Sequence, residues 1–167
     1  MTLTLHGTNG VTFPNGDTQV GATKVLQIKR TTYATQAVLS TGFPADDTLP
    51  VITEGDQIFS LAMTAGHANN ILEFNISMGL YAAASVGMGM ALFNGATNAI
   101  WAKEYDSQRV GGPLTFSLVA GTTDAKTYTL RVGDSSGNNL TMNTSDRFGA
   151  GTPGEEIGSM TIKEIEV

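Results

Sequence analysis

Trp101, Lys103 and Tyr105 alternate along the segment 99–105, so in an extended strand they share one face. Trp and Tyr carry flat apolar rings with polar edges, and beside Asp106 they compose a platform on which a sugar ring can stack. Packing in a core or against another subunit is the commoner use of such a pair. Trp101, Tyr105 and Asp106 are therefore the candidate glycan contacts, held against that alternative.

Other constellations carry less chemistry. His6 and His67 have no partner at metal-ligand spacing, and His67, within Ala65-Gly66-His67-Ala68-Asn69, reads as a solvated loop residue. Sequence order alone does not exclude a Ser-His-Asp triad, but no Ser is read in a Gly-x-Ser-x-Gly elbow, so a hydrolase has little support. Gly87-Met88-Gly89-Met90-Ala91-Leu92 begins like a dinucleotide fingerprint, but the third glycine is missing and no βαβ unit surrounds it. Close strand packing is the better reading. Asp134-Ser135-Ser136-Gly137-Asn138-Asn139 holds oxygen ligands without EF-hand spacing; it reads as a turn with Asx hydrogen bonds, with weak Ca²⁺ binding as the alternative. Asp46-Asp47 and Glu155-Glu156 lie beside Pro or Gly and read as solvated loop charges. No cofactor, metal or catalytic residue is expected.

The elements that would position these residues are strands. The chain has 167 residues, enough for one domain with a core or for a domain with a small appendage. Charged residues are 14% against about 25% in an average soluble protein, and the mean hydropathy is zero, which excludes a disordered polar chain. A net charge of −6 argues against nucleic-acid and anionic-membrane partners, because phosphate binding needs clustered positive charge. The absence of cysteine removes disulfides and thiolate metal sites. The first residues lack the basic and apolar regions of a secretory signal. The uncharged stretch 75–100 is too broken by Gly and Asn for a membrane helix, so no membrane insertion is expected.

Turn signals such as Asn9-Gly10, Gly42-Phe43-Pro44, Asn94-Gly95 and Gly111-Gly112-Pro113 punctuate the chain at short intervals, the pattern of an all-β sandwich or barrel. Between them apolar residues alternate with polar ones: Phe59, Leu61 and Met63; Leu72, Phe74, Ile76, Met78 and Leu80; Leu114, Phe116 and Leu118; Tyr128, Leu130 and Val132. Tyr81-Ala82-Ala83-Ala84-Ser85 allows a helical turn, but Val86, Met88, Met90 and Leu92 alternate with Gly87, Gly89 and Ala91 as in a strand. That strand's glycine face is expected to meet a neighbour closely, ultimately an identical copy. The final stretch Ser159–Val167 reads as a strand whose phase slips midway, suggesting a bulge. Residues 1–22 contain few bulky apolar side chains, too few to offset their own ordering entropy. They are expected to form an N-terminal arm, with residues 23–167 as a β-sandwich. Leu3, Leu5, Val11 and Phe13 are its candidate attachment and trimer-seam residues. In parallel chains around a three-fold axis, Val11 and Phe13 would meet their symmetry mates.

The run Gly7-Thr8-Asn9-Gly10-Val11-Thr12-Phe13-Pro14-Asn15-Gly16-Asp17-Thr18-Gln19, followed by Lys24-Val25-Leu26-Gln27, resembles a pattern of bacteriophage tail-fibre and other virion proteins. Later landmarks are similar to the same family's C-terminal domain: Ile52-Thr53-Glu54-Gly55-Asp56, Asn70-Ile71-Leu72, Ala91-Leu92-Phe93, Ala120-Gly121-Thr122-Thr123 and Met160-Thr161-Ile162-Lys163-Glu164-Ile165. Such domains resemble jelly-roll trimers of the TNF/C1q type. The resemblance implies an antiparallel jelly-roll-like β-sandwich preceded by an extended arm, a homotrimer, a structural role in the virion and no catalysis. The expected partners are copies of the chain, other virion proteins through the arm, and host-surface glycan. With about 22 residues before the sandwich, a short fibre on tail or baseplate is expected rather than a long shaft. The alternative is a capsid decoration, or head-fibre, protein without a receptor.

Overall fold

The computed structural model describes residues 4–6, 10–12, 18–19, 24–35, 37–82, 87–106, 109–135, 140–142 and 158–167. Three short strands come first: β1 (Thr4–His6), β2 (Gly10–Thr12) and β3 (Thr18–Gln19). Then follow β4 (Val25–Tyr33), β5 (Ala37–Leu39), β6 (Asp56–Met63), β7 (Ile71–Ser77), β8 (Leu80–Ala82) and β9 (Gly87–Phe93). The chain continues with β10 (Trp101–Asp106), β11 (Arg109–Val110), β12 (Pro113–Val119), β13 (Lys126–Asp134), β14 (Leu140–Met142) and β15 (Gly158–Ile165).

The long strands form two four-stranded antiparallel sheets, β12-β7-β15-β4 and β10-β9-β13-β6. Renumbered one to eight in chain order, these eight strands run 6-3-8-1 and 5-4-7-2. This is the double Greek key of a jelly roll. The short strands β11-β8-β14-β5 make a further sheet. The fold is thus the antiparallel β-sandwich that the alternation predicts.

Alternation decides which faces meet. Leu72, Phe74 and Ile76 of β7 point inward with Met160 and Ile162 of β15, against Met88, Met90 and Leu92 of β9 and Tyr128, Leu130 and Val132 of β13. All of these are buried. The chain breaks at Met78-Gly79 between β7 and β8, yet Met78 and Leu80 stay buried as the pattern demands. Of the stretch 81–85, Tyr81 and Ala82 close β8 as strand residues, and 83–85 lie outside the described residues.

The last strand departs from its reading. Burial alternates without a slip from Gly158 to Ile165, so no phase change occurs in β15. Glu164 takes the inward position and Ile165 the outward one. The register shift lies opposite, where β4 carries the extra residue Leu26 between Val25, paired with Ile165, and Gln27, paired with Glu164. The odd spacing of Ile162 and Ile165 suggested a bulge in this strand; a buried carboxylate with full hydrogen bonding keeps the phase instead.

Near the N-terminus, β1, β2 and β3 form their own antiparallel sheet, with Leu5 opposite Val11 and Val11 opposite Gln19. Leu3 and Phe13 lie outside the described residues, so the strand partners given for the attachment positions are those of Leu5 and Val11 within one chain.

Candidate functional site

The loop between β5 and β6 folds back over the outer face of the β10-β9-β13-β6 sheet. Phe43 N–H donates to Asp134 O (2.8 Å), and Thr41 donates from N–H (2.9 Å) and Oγ1 (2.8 Å) to the Asp56 carboxylate. Arg131, on the outer face of β13, donates from Nε to Glu54 O and from Nη2 to Gly55 O, each at 2.7 Å. Ile52 N–H bonds Thr97 O and Ala99 N–H bonds Pro50 O, both at 2.8 Å, tying the loop to the turn after β9.

Phe43, Ala91, Phe93 and Ala99 make a second small core beneath this loop, with Ile52 against it. Small residues in the sheet make the approach possible. A Cβ on Gly89 would stand 2.8 Å from Phe43 Cδ2, and one on Gly133 would stand 2.7 Å from Thr41 O. Gly55 has φ of 64°, and its absent Cβ leaves room for the Phe43 ring. At Gly89 the glycine face of β9 is therefore filled by Phe43 of the same chain. This corrects the expectation that an identical copy covers it. Its cause is a single aromatic in a Gly-Phe-Pro turn, which reads locally as a turn and globally as a plug.

Beside the plug lies a cleft of about 440 Å³ between the 43–50 turn and strands β9 and β10. Gly87 and Gly89 line it, and Asp46, Asp47, Thr48, Glu104 and Ser135 bring polar groups to it. Over Gly87, a Cβ would come within 2.8 Å of Glu104 Oε1 and 3.5 Å of Ser135 Oγ. Hydrogen bonds from the Thr48 hydroxyl (2.7 Å) and N–H (3.1 Å) hold the Asp46 carboxyl below its ordinary value. The cleft can offer carboxylate acceptors and the hydroxyls of Thr48 and Ser135 to a polyhydroxylated ligand. Among the described residues no group of three or more His, Cys, Asp or Glu is placed to hold a metal ion.

The aromatic residues of β10 sit on the opposite face of that strand. Trp101 stacks on Phe116 at 4.0 Å with planes 1° apart, Phe116 stacks on Phe74 at 5.1 Å, and Phe74 meets Tyr128 edge-on at 5.2 Å. This file of rings joins the two sheets, and it occupies one face of the Trp101 indole. Tyr105 is half-buried, Lys103 Nζ lies 4.9 Å from its ring centroid, and burial pushes the Tyr105 hydroxyl above its ordinary pKa. Trp101 and Tyr105 are four residue steps apart, about 13 Å along a strand. Asp106 is exposed in register with Gly87, and strand parity turns it to the cleft side, away from the two rings. The structure thus brings Trp101 and Tyr105 to one face of an edge strand and sets Asp106 on the other.

Other polar residues fall as follows. His67 is exposed, its Nδ1 accepting from Asn69 N–H at 3.2 Å. Asp134 is buried at the end of β13, whereas 136–139 of the same oxygen-rich run lie outside the described residues. Gly133-Asp134-Ser135-Ser136-Gly137 has the formal Gly-x-Ser-x-Gly spacing of a nucleophile elbow, which the reading of single residues passed over. In that motif a helix follows the strand; here Ser135 is a turn residue after β13, with its N–H on Gly87 O at 2.9 Å.

The sequence reading also missed Glu164. It is 1% exposed, and its carboxylate accepts from Asn70 Nδ2 (2.6 Å), Gly66 N–H (2.7 Å) and Gln27 Nε2 (2.6 Å). Burial pushes its pKa up, but these donors, with the His67 backbone, outweigh burial and hold it below the ordinary range. The only local signal was a Glu at an inward phase of β15.

No family model matches the chain, and no curated protein matches it. Among solved structures, the infectious bursal disease virus VP2 subviral particle is similar at a TM-score of 0.37 and 12% identity, over 84% of this chain and 41% of that one. This chain thus spans less than half the length of that VP2 chain.

Proposed function

We propose that the chain is a structural protein of a bacteriophage particle: a short homotrimeric fibre on tail or baseplate, localised to the virion. Residues 1–22 attach it to other virion proteins, and the sandwich is the knob that meets the host surface. The observation that supports this reading is the two-part hydrogen bonding of the chain. The described strands β1, β2 and β3 form a sheet of consecutive strands that admits none from β4 onward, while the eight long strands from β4 onward interleave as the jelly roll. An attachment unit followed by a rigid β-knob is the layout that the resemblance in residues 7–27 implies.

Host-surface glycan is the receptor chemistry proposed for the knob. Trp101 and Tyr105 stand on one face of the edge strand β10, and the polar cleft lies on its other side. A sugar stacking on Trp101 would have to use the indole face that Phe116 does not occupy.

Immunogold labelling of intact particles tests the assignment. Label at the tail end is expected; label over the head would replace the fibre reading with capsid decoration. For the receptor, a glycan array should show binding that Tyr105→Ala abolishes without changing the circular dichroism spectrum. Unchanged binding by that variant would remove β10 from the contact.

A further inference from the structure

The outer face of the β12-β7-β15-β4 sheet is largely Ser, Thr, Asn and charged residues, but at one end it carries a continuous apolar row. Register places Val119 beside Ile71, Ile71 beside Ile165, and Ile165 beside Val25, one apolar side chain from every strand in a single row. Val119 is 60% exposed and Val25 48%. In the adjacent row, Ser117, Glu73, Lys163 and Ile28 follow one another, and Ile28 is 59% exposed. Beyond it come Thr115, Asn75, Thr161 and Arg30. Scattered single apolar residues are ordinary on a protein surface, but a contiguous row spanning a whole sheet marks a contact surface.

We infer that this face is where copies of the chain pack against one another. The inference rests on the homo-oligomeric part of the function proposed above and names the surface that serves it.

Charge selects the occupant. The chain carries a net charge of −6, so two copies repel at most approaches. On this face Lys163 Nζ is 2.8 Å from Glu73 Oε1, and at its margin Lys24 pairs with Glu166 at 3.9 Å. Arg30 is the remaining charge, so the face has no surplus of negative charge. The Glu73 carboxylate is further satisfied by Asn75 Nδ2 at 2.8 Å, and the Thr115 hydroxyl donates to Asn75 Oδ1 at 2.8 Å. Glu73, Lys163, Asn75 and Thr115 are thus already bonded within the face and lose little when a second copy covers them, whereas Arg30 needs a partner from that copy.

Area is of the right scale. Four strands about 4.8 Å apart, with about seven residues each at roughly 3.3 Å, give a footprint on the order of 400 Å². Pleat and side-chain relief raise the accessible area above the footprint, toward the ~800 Å² per partner of a standard interface. Apolar residues in the row and polar residues around it reproduce the core-and-rim layout of such contacts.

The test compares the full-length chain with Ile28→Glu/Val119→Glu and with Val38→Glu, a control at a 63% exposed valine on β5. Sedimentation velocity over a dilution series is expected to show self-association of the wild type and of the control. The double variant should dissociate at a concentration at least tenfold higher. Should the double variant lose its circular dichroism spectrum, hydrogen exchange on the wild type decides. Amides of β4 and β12 are expected to lose protection as the protein is diluted through its dissociation; protection unaffected by dilution overturns the inference. An oligomer that the folded double variant retains overturns the face while leaving the fibre reading intact. A wild type that is a single subunit throughout overturns both the face and the homotrimer.

Discussion

Replacing Glu164 by Gln tests the buried carboxylate with a change of almost no volume. Oε1 accepts two donors, Asn70 Nδ2 and Gly66 N–H, and Oε2 accepts Gln27 Nε2. In Glu164→Gln the amide oxygen can keep the first pair, but the new NH₂ then faces Gln27 Nε2, donor against donor. Gln27 cannot turn its oxygen inward without losing its second bond, from Nε2 to Thr64 O at 2.7 Å. One charge-assisted hydrogen bond is lost, a cost of about 2 kcal/mol. For a chain of this length that lowers Tm by roughly 4–8 °C. Glu164→Ala leaves three donors without their acceptor and costs more than about 3 kcal/mol. The folded carboxyl titrates below its unfolded value of 4.5, so its contribution is complete above that value and is lost as pH falls through the folded one. Scanning calorimetry of wild type and Glu164→Gln at neutral pH and below pH 4.5 reads both effects. The Tm gap should be present at neutral pH and close in acid. Equal melting at neutral pH, or a gap that widens in acid, would refute the reasoning.

Gly133→Ala places a Cβ 2.7 Å from Thr41 O and 3.2 Å from Gly55 Cα, backbone atoms that cannot swing aside; a loss of about 1–3 kcal/mol is expected, with faster limited proteolysis in the 45–50 loop. Trp101→Ala removes the ring stacked on Phe116, and about 2–3 kcal/mol of stability should go with it, less than the 3–5 of a fully buried Trp; denaturant titration by circular dichroism reads it. Burial raises the hydroxyl pKa of Tyr105 and Tyr128 above 10.0. Phenolate absorbance should show two tyrosines titrating late, and stability should fall as pH rises from the unfolded value through the folded ones.

Strand content was legible because period-2 alternation and burial are the same physical fact. Phe74, Leu130 and Met160 are inward because extended backbone turns every second side chain to one face. Pairing across the sandwich was not legible. Nothing local in Gly42-Phe43-Pro44 tells that Phe43 reaches across to Gly89 while Thr41 and Gly42 lie over Gly133, since those contacts depend on where β9 and β13 lie side by side. Glu164 was missed for the same reason. Its donors come from positions 27, 66 and 70, and only the folded sheet gathers them. Trp101 and Tyr105 were found as a pair on one face, but their partners were not, because Phe116 stacks from the other sheet. The apolar outer row was likewise hidden, since Val25, Ile71, Val119 and Ile165 lie far apart in the chain and only register aligns them.

The molar mass of the full-length chain at micromolar concentration, by multi-angle light scattering behind size exclusion, tests most directly whether the sandwich works as an assembly of identical copies. Three times the 17.5 kDa of one chain is the predicted value. A folded species with the mass of one chain at every concentration would contradict it.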